Sequence, residues 1–295
     1  MNPYKIEGPA LISFSGGRTS AFMLHEILKA HDGRLPDDMV VTFANTGLED
    51  PLTLRFVHEC SERWGVKIHW LEWRNDEHGF EEVGFNSASR SGEPFKALVA
   101  KKKYTPNGVT RFCTQELKIR VMGKFCRTLG WDHWHNVVGL RYDEGHRVLK
   151  ALARNDAGKE RWRTLMPMAS AKVKVTKRDV LAFWLGDNAD PIDLVSPLPQ
   201  GFDLGLRDYE GNCRLCFLKA KRKLLTLIRE RPEDADHMIE MEVLGKGRFV
   251  TEYSFTDLVN EARAAPMLPG IMDDAWNDDY DVECGLHCAP ESEAA

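Results

Sequence analysis

The chain has 295 residues, enough for one large α/β domain or for a domain with an appendage. Its 43% hydrophobic and 29% charged content is ordinary for a soluble globular protein, and a net charge of −5 supplies no global attraction to nucleic acid. No long apolar run and no signal peptide occur, so a cytoplasmic protein without membrane contact is expected.

Ala10, Leu11, Ile12 and Phe14 form a short apolar run that reads as a buried strand. Ser15-Gly16-Gly17-Arg18-Thr19-Ser20 follows, and then Phe22, Met23, Ile27 and Leu28 recur at helical spacing. A strand, a small-residue turn and a helix together aim backbone N–H groups and a helix N-terminus at a phosphate. Gly16 and Gly17 permit positive φ and close approach of an anion, Ser15, Thr19 and Ser20 add hydroxyls, and Arg18 adds a charge-assisted donor. The spacing is neither the Walker pattern nor G-x-G-x-x-G, and by itself it reads equally as an ordinary tight turn.

Gly33 and Pro36 mark the next turn, and Met39–Phe43 reads as a second buried strand that ends at Asn45-Thr46-Gly47. Asp50 and Pro51 are a helix N-cap and first turn, Leu52, Phe56, Val57 and Cys60 give that helix its apolar face, and Gly65 closes it. Val66–Trp73 alternates as a third strand. Strands alternating with amphipathic helices predict a parallel sheet covered on both faces, with ligands beyond the carboxyl ends of its strands. The Ser15–Ser20 loop and the Asn45–Gly47 turn then face one crevice.

Residues 75 to 110 are polar and lack either period, which suggests a long loop and a substrate lid. Thr110–Thr114 leads into a helix expected over Gln115 to Leu129, on whose start Arg111 and Lys118 would face an anion. A helix N-terminus lowers a thiol pKa, so Cys113 reads as a thiolate, reactive or metal-bound, or else as a buried first-turn cysteine. Trp134–Gly139 is the fourth strand, followed by Arg141, Asp143, Glu144 and Arg147. Two guanidiniums there suit an oxyanion; alone, they equally suit a salt-bridged turn. Arg161 to Pro167 fits a last strand, and Thr176–Asp179 is a capping box for a helix carrying Val180, Phe183 and Trp184.

Proline and glycine cluster from Asp190 to Gly205, which divides the chain into an α/β unit (residues 1–205) and a C-terminal region (residues 206–295). An amphipathic helix with a basic stripe is expected through Leu224, Leu225, Leu227 and Ile228, and further helices over Glu233–Met241 and Phe255–Ala264. The tail is acidic up to Asp281. Lys101–Lys103 and Lys219–Lys223 read as solvated faces.

Seven cysteines in a reducing compartment are not expected to form structural disulfides. Cys60 and Cys126 read as small buried hydrophobes. Cys213 and Cys216, and Cys284 and Cys288, are two close pairs, with Cys113 as a fifth candidate. Three arrangements are open: a [4Fe–4S] cluster on Cys213, Cys216 and two of Cys113, Cys284 and Cys288; Zn²⁺ on Cys213, Cys216, Cys284 and Cys288, with His287 a substitute; or a redox pair, Cys213 and Cys216, with Cys284 as nucleophile.

Ser15-Gly16-Gly17-x-x-Ser20 after an N-terminal strand resembles the pyrophosphate loop of the PP-loop ATP pyrophosphatases. Val41–Gly47, Arg111–Lys118, Gly139–Arg147 and Val175–Trp184 resemble, in order, the phosphoadenylylsulfate (PAPS) reductase branch of that superfamily, and Glu283-Cys-Gly-Leu-His287 resembles its redox-cysteine segment. Thr19 and Asn45 depart from the family pattern, which has Asp at both positions. The resemblance implies a doubly wound, mostly parallel, adenine nucleotide alpha hydrolase-like sheet plus a helical cysteine-bearing C-terminal region.

The resemblance also implies nucleotide binding by Ser13, Phe14, Ser15, Gly16, Gly17, Arg18, Thr19 and Ser20, by Asn45, Thr46 and Gly47, and by Gly139 and Arg141. Arg111, Lys118, Glu144 and Arg147 would bind substrate, Cys284 would be catalytic, and four of Cys113, Cys213, Cys216, Cys284 and Cys288 would hold a [4Fe–4S] cluster in preference to Zn²⁺. Two activities follow. In one, ATP with Mg²⁺ adenylates a substrate, pyrophosphate leaves, and sulfur from a donor protein displaces AMP. In the other, Cys284 attacks a sulfonated adenylate and a thioredoxin-like reductant releases sulfite. A third reading, from a different class, is a non-catalytic nucleotide-binding subunit of a nucleic-acid-modifying system, with Lys219–Lys223 on phosphates; under any of the three a homodimer stays open.

Overall fold

The computed structural model describes residues 2–186 and 200–264. The first half runs β1 (Ala10–Ser13), α1 (Arg18–Ala30), β2 (Met39–Asn45), α2 (Pro51–Trp64), β3 (Ile68–Trp73), β4 (Phe80–Val83) and α3 (Glu93–Lys102). Then come α4 (Phe112–Thr114), a π-helical stretch (Gln115–Arg120), α5 (Val121–Thr128), β5 (Trp134–Val137), α6 (Gly145–Ala157), β6 (Trp162–Leu165), a 3₁₀ turn (Pro167–Ala169) and α7 (Lys177–Leu185). Three helices close the described chain: α8 (Lys221–Glu230), α9 (Asp234–Leu244) and α10 (Phe255–Ala264).

The six strands form one sheet in the order β4-β3-β2-β1-β5-β6. All neighbours are parallel except β3 and β4. The central strand β1 is buried along its whole length, as expected of a parallel strand covered on both faces. Successive residues point to opposite sides: Leu11 joins a core with Leu71, Leu117 and Phe125, whereas Ile12 joins one with Ile27, Phe56 and Trp184. The chain leaves β1 toward β2 on one side and reaches β5 on the other, so a crevice opens beyond the carboxyl end of β1.

The helix signals of α2 hold in detail. Asp50 accepts the Leu52 N–H at 2.9 Å, Pro51 opens the helix, and Gly65 closes it at φ 59°. Thr176 and Asp179 form the capping box of α7. Helices α8 and α10 contribute Leu224, Ile228, Phe255 and Leu258 to the core that contains Leu11. Arg231, just after α8, pairs with the α2 cap Asp50 at 2.6 Å. Phe202, Leu204 and Leu206, at the end of the proline- and glycine-rich stretch, pack into the opposite core with Phe56 and Trp184.

Several expectations are corrected. Residues 75 to 110 are not one loop. Phe80–Val83 extends the sheet antiparallel to β3, and α3 buries Phe95, Leu98 and Val99. The helix expected over Gln115–Leu129 opens in α4 and passes through a π-helical stretch before α5. Helix α6 had no clear signal because, of its residues, Ala151 alone is fully buried. The lysine run of 219–223 is not wholly solvated: the Lys219 ammonium turns inward and donates to the carbonyls of Tyr209 (2.6 Å) and Gly211 (2.7 Å).

Cys60 and Cys126 are fully buried, and burial raises both thiol pKa values, that of Cys126 to about 12. Among the described residues no helix is long and apolar enough to cross a membrane. Glu283, Cys284, His287 and Cys288 lie outside the described residues.

Candidate nucleotide and thiol site

Beyond β1 the chain enters the Ser15–Ser20 loop. Gly16 takes φ +81°, and a Cβ there would lie 2.7 Å from Thr53 Cγ2, so both the turn and the packing require glycine. Gly17, expected to use the same freedom, is extended (φ −100°) and serves as the α1 N-cap. Helix α1 begins with no side-chain cap and no acidic residue in its first turn, so its first amides and the positive end of its dipole remain for an anion. The hydroxyls are mutually engaged: Ser15 donates to Ser20 at 3.0 Å, and Ser20 donates to the Gly17 carbonyl at 3.0 Å.

A cleft of about 90 Å³ opens over this loop, sized for a phosphoryl group rather than a whole nucleotide. Ser15 to Thr19 form one wall, and Arg141, Lys177 and Arg207 are among the residues of the other. Arg141 is buried and donates to Thr19 Oγ1 at 3.2 Å. Gly139, just past β5, lies so close that a Cβ there would come within 3.3 Å of Ser20 Cα. Arg18 is placed otherwise than expected: its guanidinium binds both carboxylate oxygens of buried Asp203, at 2.8 and 2.6 Å. Glu144 and Arg147 pair with each other, and Glu144 also accepts the Arg141 N–H at 2.9 Å.

At the end of β2, Asn45 is enclosed. Its amide donates to Glu72 at 2.6 Å and to the Ser89 carbonyl at 2.9 Å, and its oxygen accepts the Gly47 N–H at 3.2 Å. Glu72 is fully buried and balanced by Arg74 at 2.8 Å. Thr46 turns the other way, donating to buried Glu49 at 2.9 Å and lying 3.5 Å from Cys213 Sγ. Lys118, on the π-helical stretch, reaches Glu49 at 3.7 Å.

Thr46 and Lys118 line a cavity of about 800 Å³ that also collects Cys113, Cys213, Cys216 and His237. The structure therefore brings Cys113 and the Cys213–Cys216 pair, about a hundred residues apart, to one chamber. Cys213 bridges Glu49 as an isolated antiparallel pair, and Arg214 N–H donates to the Leu48 carbonyl at 2.9 Å. Burial pulls the Lys219 pKa down to about 8, against the opposing effect of the Cys216 and Cys213 thiols. Burial likewise lowers His237. Gly211 and Asn212 line the cleft over the loop and Cys213 lines the thiol cavity, so consecutive residues lead from one to the other.

Among the described residues no three His, Cys, Asp or Glu side chains are gathered closely enough to hold a metal ion. Cys113, Cys213 and Cys216 share the cavity without forming a ligand set. Ser13 and Phe14 are buried beneath the loop, and Arg111 precedes α4. Lys177, Arg207, Glu49, Lys219 and His237 were not singled out as site residues in the sequence. Lys177 had a signal, because it follows the Thr176 cap of a helix that points at the loop; the others are placed by tertiary packing alone.

Residues 9–196 match the family described as phosphoadenosine phosphosulfate reductase domain. An uncharacterized nin region protein of Escherichia phage lambda is 30% identical over 224 residues, which cover 72% of this chain and 67% of that protein. An uncharacterized protein of Methanocaldococcus jannaschii is 29% identical over 147 residues, 50% of this chain but 26% of that protein.

Proposed function

This chain belongs to the phosphoadenosine phosphosulfate reductase domain family, and on that premise we propose that it is an ATP-using enzyme that adenylates a substrate and supports sulfur transfer to it. One observation carries the proposal: consecutive residues run from the cleft at an uncapped helix N-terminus, lined by Gly211, Asn212, Arg141, Lys177 and Arg207, into a three-cysteine cavity lined by Cys213.

The first-turn amides of α1 bind the phosphate chain of ATP, and Arg141, Lys177 and Arg207 offset its charge. An acceptor oxygen attacks the α-phosphorus, an O–P bond forms, and the bond to pyrophosphate breaks with its electron pair on pyrophosphate. Positive charge around the leaving phosphates stabilises that transition state more than the ground state. A sulfur nucleophile, persulfide or sulfide from a donor protein, then attacks the carbon bearing the adenylated oxygen. The C–S bond forms, the C–O bond breaks with its electron pair on AMP, and AMP departs. Where the nucleophile is a persulfide, a second cysteine thiol then attacks the donor sulfur of the new S–S bond, the thiolated product leaves, and an external thiol reduces the disulfide that remains. The mainly apolar cavity holds the acceptor away from water, with Cys113, Cys213 and Cys216 as the thiols able to carry sulfur.

Mg²⁺ would be held chiefly by the phosphate oxygens. A [4Fe–4S] cluster or Zn²⁺ would require Cys113, Cys213 and Cys216 to draw together from their described positions and to recruit Cys284 or Cys288, and no step above depends on it. The test is anaerobic incubation with ATP or with sulfonated adenylates, measuring pyrophosphate and sulfite together. Pyrophosphate from ATP, lost in Ser20→Ala, is the expected result. Sulfite from a sulfonated adenylate, lost in Cys284→Ser and without pyrophosphate from ATP, would replace this function with reduction.

A further inference from the structure

The charge of this protein is unevenly distributed. From Gly145 to Arg178 there are ten Lys or Arg against Asp156 and Glu160 alone, a net charge of +8 within a chain whose total is −5. No single run reveals this, because the cations are spread over α6, the edge strand β6, the loop after it and the start of α7. Folding gathers them around the β6 end of the sheet: β6 is its last strand, α6 packs against β6, and the start of α7 is tied to the loop after β5 by the Lys177 N–H donating to Asp143 at 2.9 Å. Lys150, Arg161, Arg163, Lys172, Lys174 and Arg178 are all exposed.

This face adjoins the phosphate loop. Strand β5, the neighbour of β6, leads to Gly139 against Ser20 and to Arg141 against Thr19. The next residue, Tyr142, is 48% exposed. Its N–H is fixed by the Val175 carbonyl at 2.8 Å, and Lys174 Nζ stands 5.6 Å from its ring centroid. Beside it, α6 presents Leu149 at 68% and Leu152 at 45% exposure. An aromatic ring held by its backbone, next to a cation and on a basic face, is the arrangement on which an unpaired base stacks.

We infer that this face binds the phosphate backbone of a single-stranded nucleic acid, stacks a base on Tyr142, and presents the strand to the site as its acceptor; only this last step rests on the function proposed above. A long polyanion matches cations drawn from a helix, a strand and a loop, because each contact releases a condensed counterion. A membrane surface fits less well, since its basic residues would be expected along one face of a single amphipathic helix.

The test is fluorescence anisotropy of labelled oligothymidylate and oligouridylate with the full chain over a salt series. Binding should weaken steeply with salt. A Lys150→Glu, Arg163→Glu, Arg178→Glu variant should bind about tenfold or more weakly and lower the log–log salt slope by about 2. Tyr142→Ala should weaken binding about tenfold and Tyr142→Phe should retain it. Arg34→Glu, an exposed reversal in the turn before β2, should change nothing. The inference is overturned if neither oligonucleotide binds at low salt, if the triple variant binds as wild type does, or if phosphatidylserine vesicles bind and oligonucleotides do not. An ATP titration on the same preparations separates the two proposals: retained ATP binding without oligonucleotide binding removes this inference alone.

Discussion

The hydroxyl of Thr46 lies 3.5 Å from Sγ of Cys213, so the end of the second strand touches the first thiol of a segment 167 residues further along the chain. That hydroxyl also donates to buried Glu49. Thr46→Val keeps the shape and removes the donor, leaving Glu49 short of one hydrogen bond. A stability loss of about 1–3 kcal/mol in urea denaturation is expected, with ATP affinity unchanged and sulfur transfer reduced. Unchanged stability and turnover would show that the contact joins nothing of consequence.

Gly16→Ala tests the loop. It meets both a φ of +81° and a Cβ position 2.7 Å from Thr53 Cγ2. Gly33→Ala shares the backbone condition, at φ +84°, with open space around it. Each should lose about 1–2 kcal/mol from the backbone alone, and Gly16→Ala should lose more and abolish ATP binding by calorimetry. Equal ATP affinity in the two variants would exclude the loop as the phosphate site.

Asp203→Asn removes the bidentate counter-charge of the buried Arg18 guanidinium and leaves Asp208, at 4.0 Å, as its nearest anion. Breaking such a pair from one side costs about 3–5 kcal/mol, a loss readable in chemical denaturation. Replacing both, as Arg18→Met with Asp203→Leu, should recover a good part of it. A double variant as unstable as the sum of the singles would show that the two residues do not act as a pair.

His31 fixes the N-terminal segment through its ring: Nε2 accepts the Ile6 N–H at 3.2 Å, which requires neutral imidazole. Burial, with Lys5 adding to it, holds its pKa below the ordinary 6.5. The unfolded chain therefore takes up a proton first, and this contribution is present above pH 6.5 and lost as pH falls through that value toward the folded-state pKa. Half-buried His69 and His237, whose pKa values partial burial also lowers, slope the same way. Urea midpoints should fall on acidification across this window, and His31→Asn should flatten the fall without removing it. An unaltered slope would exclude His31.

Much of this architecture is legible in the sequence because it is local. The apolar run before Ser15, the Asp50-Pro51 cap and the Thr176–Asp179 box each state their geometry within a few residues. What was not legible depends on distant partners. That Arg18, on the wall of the cleft, is paired with Asp203, and that Glu72 and Ser89 enclose Asn45, could be seen only once the chain had folded. Short strand β4 lacks a clean alternation because it is half-exposed at the sheet edge, and α6 gives little signal because it buries so little. The basic face escaped notice because its charges are shared among four elements.

The clamp on α1 has a consequence for how the protein is made. The Arg18 carbonyl accepts from Trp184 Nε1 at 3.0 Å, and the Arg18 side chain is held by Asp203. The bend after β1 is thus complete only once a residue 185 positions further along the chain is in place. Nascent chains stalled before Asp203 emerges would carry every residue of that bend and still lack the Arg18–Asp203 pair, so on the function proposed above nucleotide capture would report that translation has passed this point.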